Sequence, residues 1–378
     1  MAIVLAMVLS ACAGLLGDDA GGDVAWDDAP ASLGVLTPGV DVADEPADVA
    51  GASYRTGEDG EPLVVSDLVR TDDAGFAEVR WVEGALARLD VDTVLEVTAL
   101  DLETGQPTVS TRLEVGRVWN RLESDAATYE VETDVGTAAV RGTGFLVACL
   151  PLCTFGLGEG VLAIETILGV DLELRPGEQI RVDEDGQPSS VEAFTLDEPW
   201  LRDNLQRDEE LGFAALDPTY DQAGGDRSDI ARARLDGTYD FTYTVRESSR
   251  DSLVGQSEPR QYAFTPECAT GPCGGTYVQL EGTESFVWTG AGFAATYVRR
   301  PNVNANLQCP DGSPRYLETS VLTFAPTAAE EVDGVLVVTA VDSESSILLV
   351  PTQEAVDSGC DEGQSISIVW SGSGTRTG

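Results

Sequence analysis

From about Ser32 to Val191 apolar and polar residues alternate in short runs broken by Gly, Asp and Pro. That period of two is the signature of strands with one buried face. Ala77, Val79 and Trp81 alternate with Glu78, Arg80 and Val82, and Ala87-Arg88-Leu89 and Val94-Leu95-Glu96-Val97 continue the pattern. Thr128 to Thr133 alternates again, followed by Ala138 to Val147. No amphipathic helix interrupts this region, so a sandwich or roll of hairpins is predicted.

The segment Glu198 to Gly212 changes character. Pro199 suits a first helical turn and Gly212 a C-terminal cap, so a short helix is expected there. Trp200, Leu201 and Leu205 form a narrow apolar stripe able to dock on the preceding strands. Asp217 to Arg234 reads as a polar, irregular linker. From Leu235 to Trp370 strands return: Tyr239, Phe241, Tyr243 and Val245 alternate with Asp240, Thr242 and Thr244, and Ile366, Ile368 and Trp370 repeat the pattern at the far end. Asp333-Gly334 before Val335 is a tight-turn dipeptide. First and last strands of matching character predict pairing that closes a second antiparallel sandwich or a small barrel and hides its edges.

Composition sharpens the picture by exclusion. Among 378 residues, 42% are apolar, enough for real cores. There are 66 acidic and 22 basic side chains, a net charge of −44, and every basic residue is Arg. Such a surface repels phosphate backbones and anionic lipid headgroups, so no nucleic-acid partner is expected. Without His or Lys the chain cannot build a Ser-His-Asp or Cys-His site, a phosphate-loop Lys or a Schiff base. Carboxylates remain, which leaves a hydrolase working through an acid pair as the enzymatic alternative.

The seven cysteines divide six and one. Cys12 follows the apolar run Ala2–Leu9 and the string Leu9-Ser10-Ala11, which resembles a bacterial lipoprotein signal whose Cys becomes lipidated. No Arg or Lys precedes that run, a departure from the positive start of export signals. The other six, Cys149, Cys153, Cys268, Cys273, Cys309 and Cys360, suit disulfides in an exported chain. Six cysteines allow 15 connectivities. Spacing favours Cys149–Cys153, Cys268–Cys273 and Cys309–Cys360, the last closing a long loop worth roughly 4 kcal/mol on the chain-entropy account.

Several phrases occur in a telling order. Thr71, Gly75 and Trp81 lie in Leu68–Trp81; Ala87 to Val97 follows; Gly116-Arg117-Val118-Trp119 comes next, and then Arg141-Gly142-Thr143-Gly144-Phe145. Together they resemble the FecR domain, the extracytoplasmic part of bacterial ferric-citrate-type regulators. The resemblance spans about Pro38 to Gly186 and implies a non-enzymatic envelope module. Regulators of that type also carry a cytoplasmic segment that engages a sigma factor, and a membrane helix. Neither is read in this chain, so it is not expected to signal across a membrane by itself.

Each phrase also has a physical reading. Gly75 and Gly84 suit turns needing unusual backbone angles. Trp81 and Trp119 are expected to fill the core between sheets. Arg141 beside Gly142 reads as a partly buried guanidinium holding a strand end, with an anion clamp as the functional alternative. Cys149 and Cys153 read as a hairpin staple rather than a redox pair. Asp183-Glu184-Asp185-Gly186 reads as a turn rather than a calcium loop. Asp23, Asp27, Asp28, Asp41 and Asp44 read as solvated tether residues.

The expected organisation is a signal-like segment at 1–11, an acidic tether at 12–31, a FecR-like β domain at 32–191, a short helix and linker at 192–234, and a disulfide-stabilised β domain at 235–378. The expected fold is all-β. The expected function is binding, as a sensory or scaffolding surface, by a lipid-anchored protein on the extracytoplasmic face of the membrane, or a secreted one. Its partner would be an envelope protein or surface ligand. No catalytic, cofactor or metal residue is assigned, and a purely structural surface module is the third possibility.

Overall fold

The computed structural model describes residues 31–44, 49–81, 84–101, 108–122, 128–140, 144–216, 227–279, 282–302 and 307–377. Cys12, the acids Asp23, Asp27 and Asp28, and the string Arg141-Gly142-Thr143 lie outside the described residues. The chain is all-β, with strands in two bodies and a few short helices.

Sixteen strands between Ala31 and Ala193 make the first body. Its organiser is the 15-residue strand Thr108–Leu122. Residues 108–115 pair with Val94–Asp101, and residues 108–112 pair in parallel with Thr128–Thr133. Residues 116–122 pair instead with Ala85–Leu89 and Gly144–Cys149. One strand thus serves two sheets, which is how sandwich corners are made without a loop. The switch falls at Gly116, whose φ of 100° places it in the left-handed half of backbone space. A Cβ there would sit 2.3 Å from Thr93 Oγ1, so the position admits only glycine. Gly75 has a different reason from the expected turn angle: it has no positive φ, but a Cβ would come within 2.2 Å of the Gly39 carbonyl oxygen.

Between the sheets, Trp81, Tyr129 and Phe145 form an edge-to-face stack with centroids 5.3 and 6.0 Å apart. Such pairs add about 0.5–1.5 kcal/mol each beyond their buried area. Trp119 does not join them. It packs on the opposite face of its sheet with Leu146, Phe194 and Leu201, because successive strand residues point to opposite sides and Val118 takes the inner position. The helix that covers Trp119 is Pro199–Glu210, which starts on Pro199 and ends before Gly212 at φ 88°. Leu201 is buried and Trp200 and Leu205 are half-buried against the sheet, as the apolar stripe requires.

Helix docking overturns the half-buried reading of two strands. Glu78 and Arg88, on what should be a solvated face, are 2% and 0% exposed. Two of the acids expected in a solvated tether are also elsewhere: Asp41 lies in the strand Val40–Ala43 and pairs with Arg70, and Asp44 pairs with Arg55 at 2.7 Å. Asp183 accepts hydrogen bonds from the backbone N–H groups of Asp185 and Gln187, making the expected turn.

The second body is a closed eight-stranded antiparallel barrel running from Gly237–Ser248 to Ile366–Arg376, which pair with one another. Asp333 and Gly334, with φ of 51° and 81°, join its two 17-residue strands in a two-residue turn. Inward positions carry Tyr239, Phe241, Tyr262, Phe264 and Phe324, with Phe264 and Phe324 centroids 5.0 Å apart. Outward positions such as Thr242, Asp342, Glu344 and Ser373 are exposed. This is the inverse of a lipid-facing barrel, whose outer band is apolar. The three disulfides join Cys149–Cys153 across a hairpin, Cys268–Cys273 at one barrel end, and Cys309–Cys360 at the other.

The segment expected to be an irregular linker is partly built in. Asp229–Arg232 forms a short helix capped by Ser228, and Arg227 is buried. Arg227 donates two hydrogen bonds to the Glu178 carboxylate, at 2.7 and 2.8 Å, while its guanidinium lies 4.8 Å from the Trp288 ring centre. It therefore joins the sandwich, which supplies Glu178, to the barrel, which supplies Trp288. The backbone bonds from Glu173 N–H to the Thr289 carbonyl and from Val191 N–H to the Trp288 carbonyl run alongside.

Replacing Gly116 by Ala is expected to cost about 3 kcal/mol through backbone strain and the Thr93 clash. A thermal unfolding midpoint lowered by about 5–10 °C would register it. An unchanged midpoint would show that the crossing does not need glycine.

Candidate functional site

Two polar constellations stand out, one under the helix and one inside the barrel. The first is buried. Arg88 donates to Glu78, to Asp208 and, at 3.1 Å, to the Asn204 carbonyl oxygen. The indole N–H of Trp119 donates to Asp208 at 2.9 Å. Arg121, 2% exposed, donates to Glu159 at 2.9 Å and to the Ala214 carbonyl at 2.8 Å, with its guanidinium 3.8 Å from Asp208. Two buried arginines thus face two buried carboxylates, Glu78 and Asp208. Charge cancels, and the helix is held in one register on the sheet.

In this cluster Glu78, Arg88, Arg121 and Asp208 are each at most 2% exposed. The motif residues near it are structural too. Thr71, buried, donates to the Asp90 carbonyl and accepts from the Thr93 N–H. Trp81 and Phe145 are core, and Gly75 and Gly116 allow close approach and crossing. Arg141 lies outside the described residues; among the described residues Arg88, Arg121 and Arg227 are buried arginines. No motif signals Arg121 or Arg227, and Arg88 falls in the Ala87 to Val97 phrase without being singled out by it. Their only mark is an arginine on a strand whose polar face is later covered.

The second constellation is a cavity of about 370 Å³ at the barrel end away from the sandwich. The opposite end is filled by Phe264, Phe286, Trp288 and Phe293 and touches Glu173 and Val191. Towards the open end the inward register changes from aromatic to polar. Phe241 pairs across strands with Arg260, Tyr243 with Glu258, Tyr297 with Ser320 and Ser345 with Trp370. Arg260 is bound to Glu258 and lies over the Tyr243 and Trp370 rings. Arg300 stacks 3.7 Å from the Tyr297 ring centre, donates to Glu284 at 2.7 Å and lies 3.7 Å from Glu318.

Burial opposes the charge on Arg300, but Glu318 and Glu284 outweigh it and hold the guanidinium charged. Burial pushes the Tyr277 and Tyr297 phenols well up, so the hydrogen bond between them stays neutral. At the rim Cys309–Cys360 ties two segments, and Asp361 accepts from Arg315 and from the Tyr316 hydroxyl, both at 2.6 Å. In the sequence Trp370 is legible only as a strand residue, and nothing singles out Arg260, Arg300 or Glu318. The available signal was polar residues falling on the inward parity of aromatic strands. Among the described residues no cluster of three or more His, Cys, Asp or Glu is arranged to hold a metal, and no helix is long and apolar enough to cross a membrane.

Truncating Asp208 to Ala leaves Arg88 buried without one of its two carboxylates and the Trp119 indole N–H without its acceptor. The expected cost is about 3–5 kcal/mol. Urea unfolding followed by circular dichroism would show it. The same change at exposed Asp203, one turn away, is expected to stay within about 0.5 kcal/mol. Equal effects at both sites would remove the special role of Asp208.

The family-model comparison falls on the first body. The family model described as FecR protein matches residues 67–150. Two crystal structures of a candidate anti-sigma factor from Parabacteroides distasonis ATCC 8503 are similar to the chain at 15% and 16% identity. Each covers 41% of this chain and 82% of that one, with a TM-score of 0.31. No curated protein matches. The matched span runs from Asp67 to Leu150 and contains every motif residue from Thr71 to Phe145, so this chain carries a FecR domain at residues 67–150.

Proposed function

We propose that this protein is a non-enzymatic envelope component that acts by binding. In this reading Cys12 carries a lipid anchor, residues 12–31 are a tether, and a FecR-like unit at 32–191 is linked through 192–234 to a stapled β domain at 235–378. The protein would present a sensory or scaffolding surface to an envelope protein or ligand on the extracytoplasmic side. The observation that carries the reading is the FecR match at residues 67–150.

Two physical features support it. Three disulfides are the usage of oxidising compartments, not of a reducing cytosol. The net charge of −44 leaves no electrostatic footprint for nucleic acid. A carboxylate-dependent hydrolase is the weaker reading, because the acids lining the barrel cavity are engaged by Arg260 and Arg300. The buried acids under the helix are enclosed by Arg88 and Trp119.

Expression in a bacterial host with labelled palmitate is expected to give a labelled membrane-fraction protein with no free thiol among the six paired cysteines. Cys12→Ser should abolish the label. Persistent label in that variant would refute the anchor, and six reactive thiols in native material would refute the extracytoplasmic location.

A further inference from the structure

The barrel cavity has a chemistry of its own, and the FecR match does not reach it. Its charged lining is balanced: Arg260 sits against Glu258, and Arg300 against Glu318. An anion entering would meet the carboxylates and, at longer range, the field of a chain carrying −44 charges. A cation would meet the two guanidiniums. A purely apolar ligand would strip water from ion pairs, from Asn302 and from Ser345 with nothing returned. What remains is a neutral molecule with both hydrogen-bonding groups and apolar faces.

The other half of the lining fits that description. Trp370 and Tyr297 are only part-buried and line the cavity, beside the buried Tyr262 and Tyr277. Aromatic faces carry negative quadrupole charge and attract the slightly positive C–H groups on the faces of a pyranose ring. The ion-paired arginines and acids are directional hydrogen-bonding groups for hydroxyls. A volume of about 370 Å³ lies in the range of small-molecule pockets, roughly 300–1,000 Å³. The Cys309–Cys360 bridge and the Asp361 contacts restrain the part of the rim they join, which lowers the ordering cost of binding there.

We propose that the open end of the barrel is a binding site for a neutral saccharide of one or two pyranose units, packed against Trp370 and Tyr297 on the side of each ring away from Arg260 and Arg300 and hydrogen-bonded by the Arg260–Glu258 and Arg300–Glu318 pairs. This rests on the reading of the protein as one that binds and does not transform.

The test uses the full chain and calorimetric titration with maltose, cellobiose and N,N′-diacetylchitobiose, against citrate, galacturonate and spermidine as charged probes. At least one neutral sugar is expected to saturate, and the charged probes are not. Trp370→Ala should weaken that sugar at least tenfold. Ser345→Leu, which fills the cavity without removing a stacking partner, should do the same while thermal unfolding stays near the parent value. No saturation by any of the three sugars, tighter binding of a charged probe, or sugar binding unchanged in both variants would overturn the proposal. Cleavage of a bound disaccharide would overturn the non-enzymatic reading and leave the pocket assignment standing.

Discussion

Arg88, sealed between Glu78 and Asp208, is the contact on which the first body depends. Strand pairing makes sheets but does not say what lies on their outer faces. A charge cannot remain in a covered face unless another charge comes with it. Once Arg88 and Arg121 occupy that face, the helix must bring Asp208, and it can do so in one register only. The same logic joins the two bodies, where Arg227 is held by Glu178 on one side and by the Trp288 ring on the other. Ion pairs of this kind add little net stability over apolar packing, but a misplaced partner is costly. They fix placement more than they add strength.

The two bodies solve the problem of sheet edges differently. The barrel closes on itself, so each of its strands has two neighbours. The sandwich shares one long strand between sheets, and Gly116 is the price of that crossing. Family-motif residues concentrate here because crossing, close approach and core filling tolerate few side chains. They specify an architecture, and the barrel cavity lies outside it.

The chain's acidity bears on function in the same spatial way. With 66 acids to 22 arginines, most carboxylates face water, yet the cavity lining is nearly neutral. A scarce cation placed inside a barrel mouth, twice, next to aromatic faces, is a local departure from the chain's overall composition. The Cys309–Cys360 bridge joins two segments beside that opening.

Alternation along the chain pointed by itself to strands in both regions and to pairing of the Tyr239–Val245 and Ile366–Trp370 strands that closes a sandwich or barrel, while Pro199 and Gly212 marked a helix with an apolar stripe between Glu198 and Gly212. Those are local properties: each depends on residues two to four positions apart. Cysteine spacing likewise pointed to the three bridges. What alternation could not determine is which polar face becomes covered. It left Glu78 and Arg88 in solvent, Trp119 between the sheets and Asp41 in a tether, because it cannot see the helix and strands that arrive from elsewhere. The cavity depended on tertiary structure most of all. Arg260, Arg300 and Trp370 are far apart in sequence, and only closure of eight strands turns one parity of each inward and brings them to the same opening.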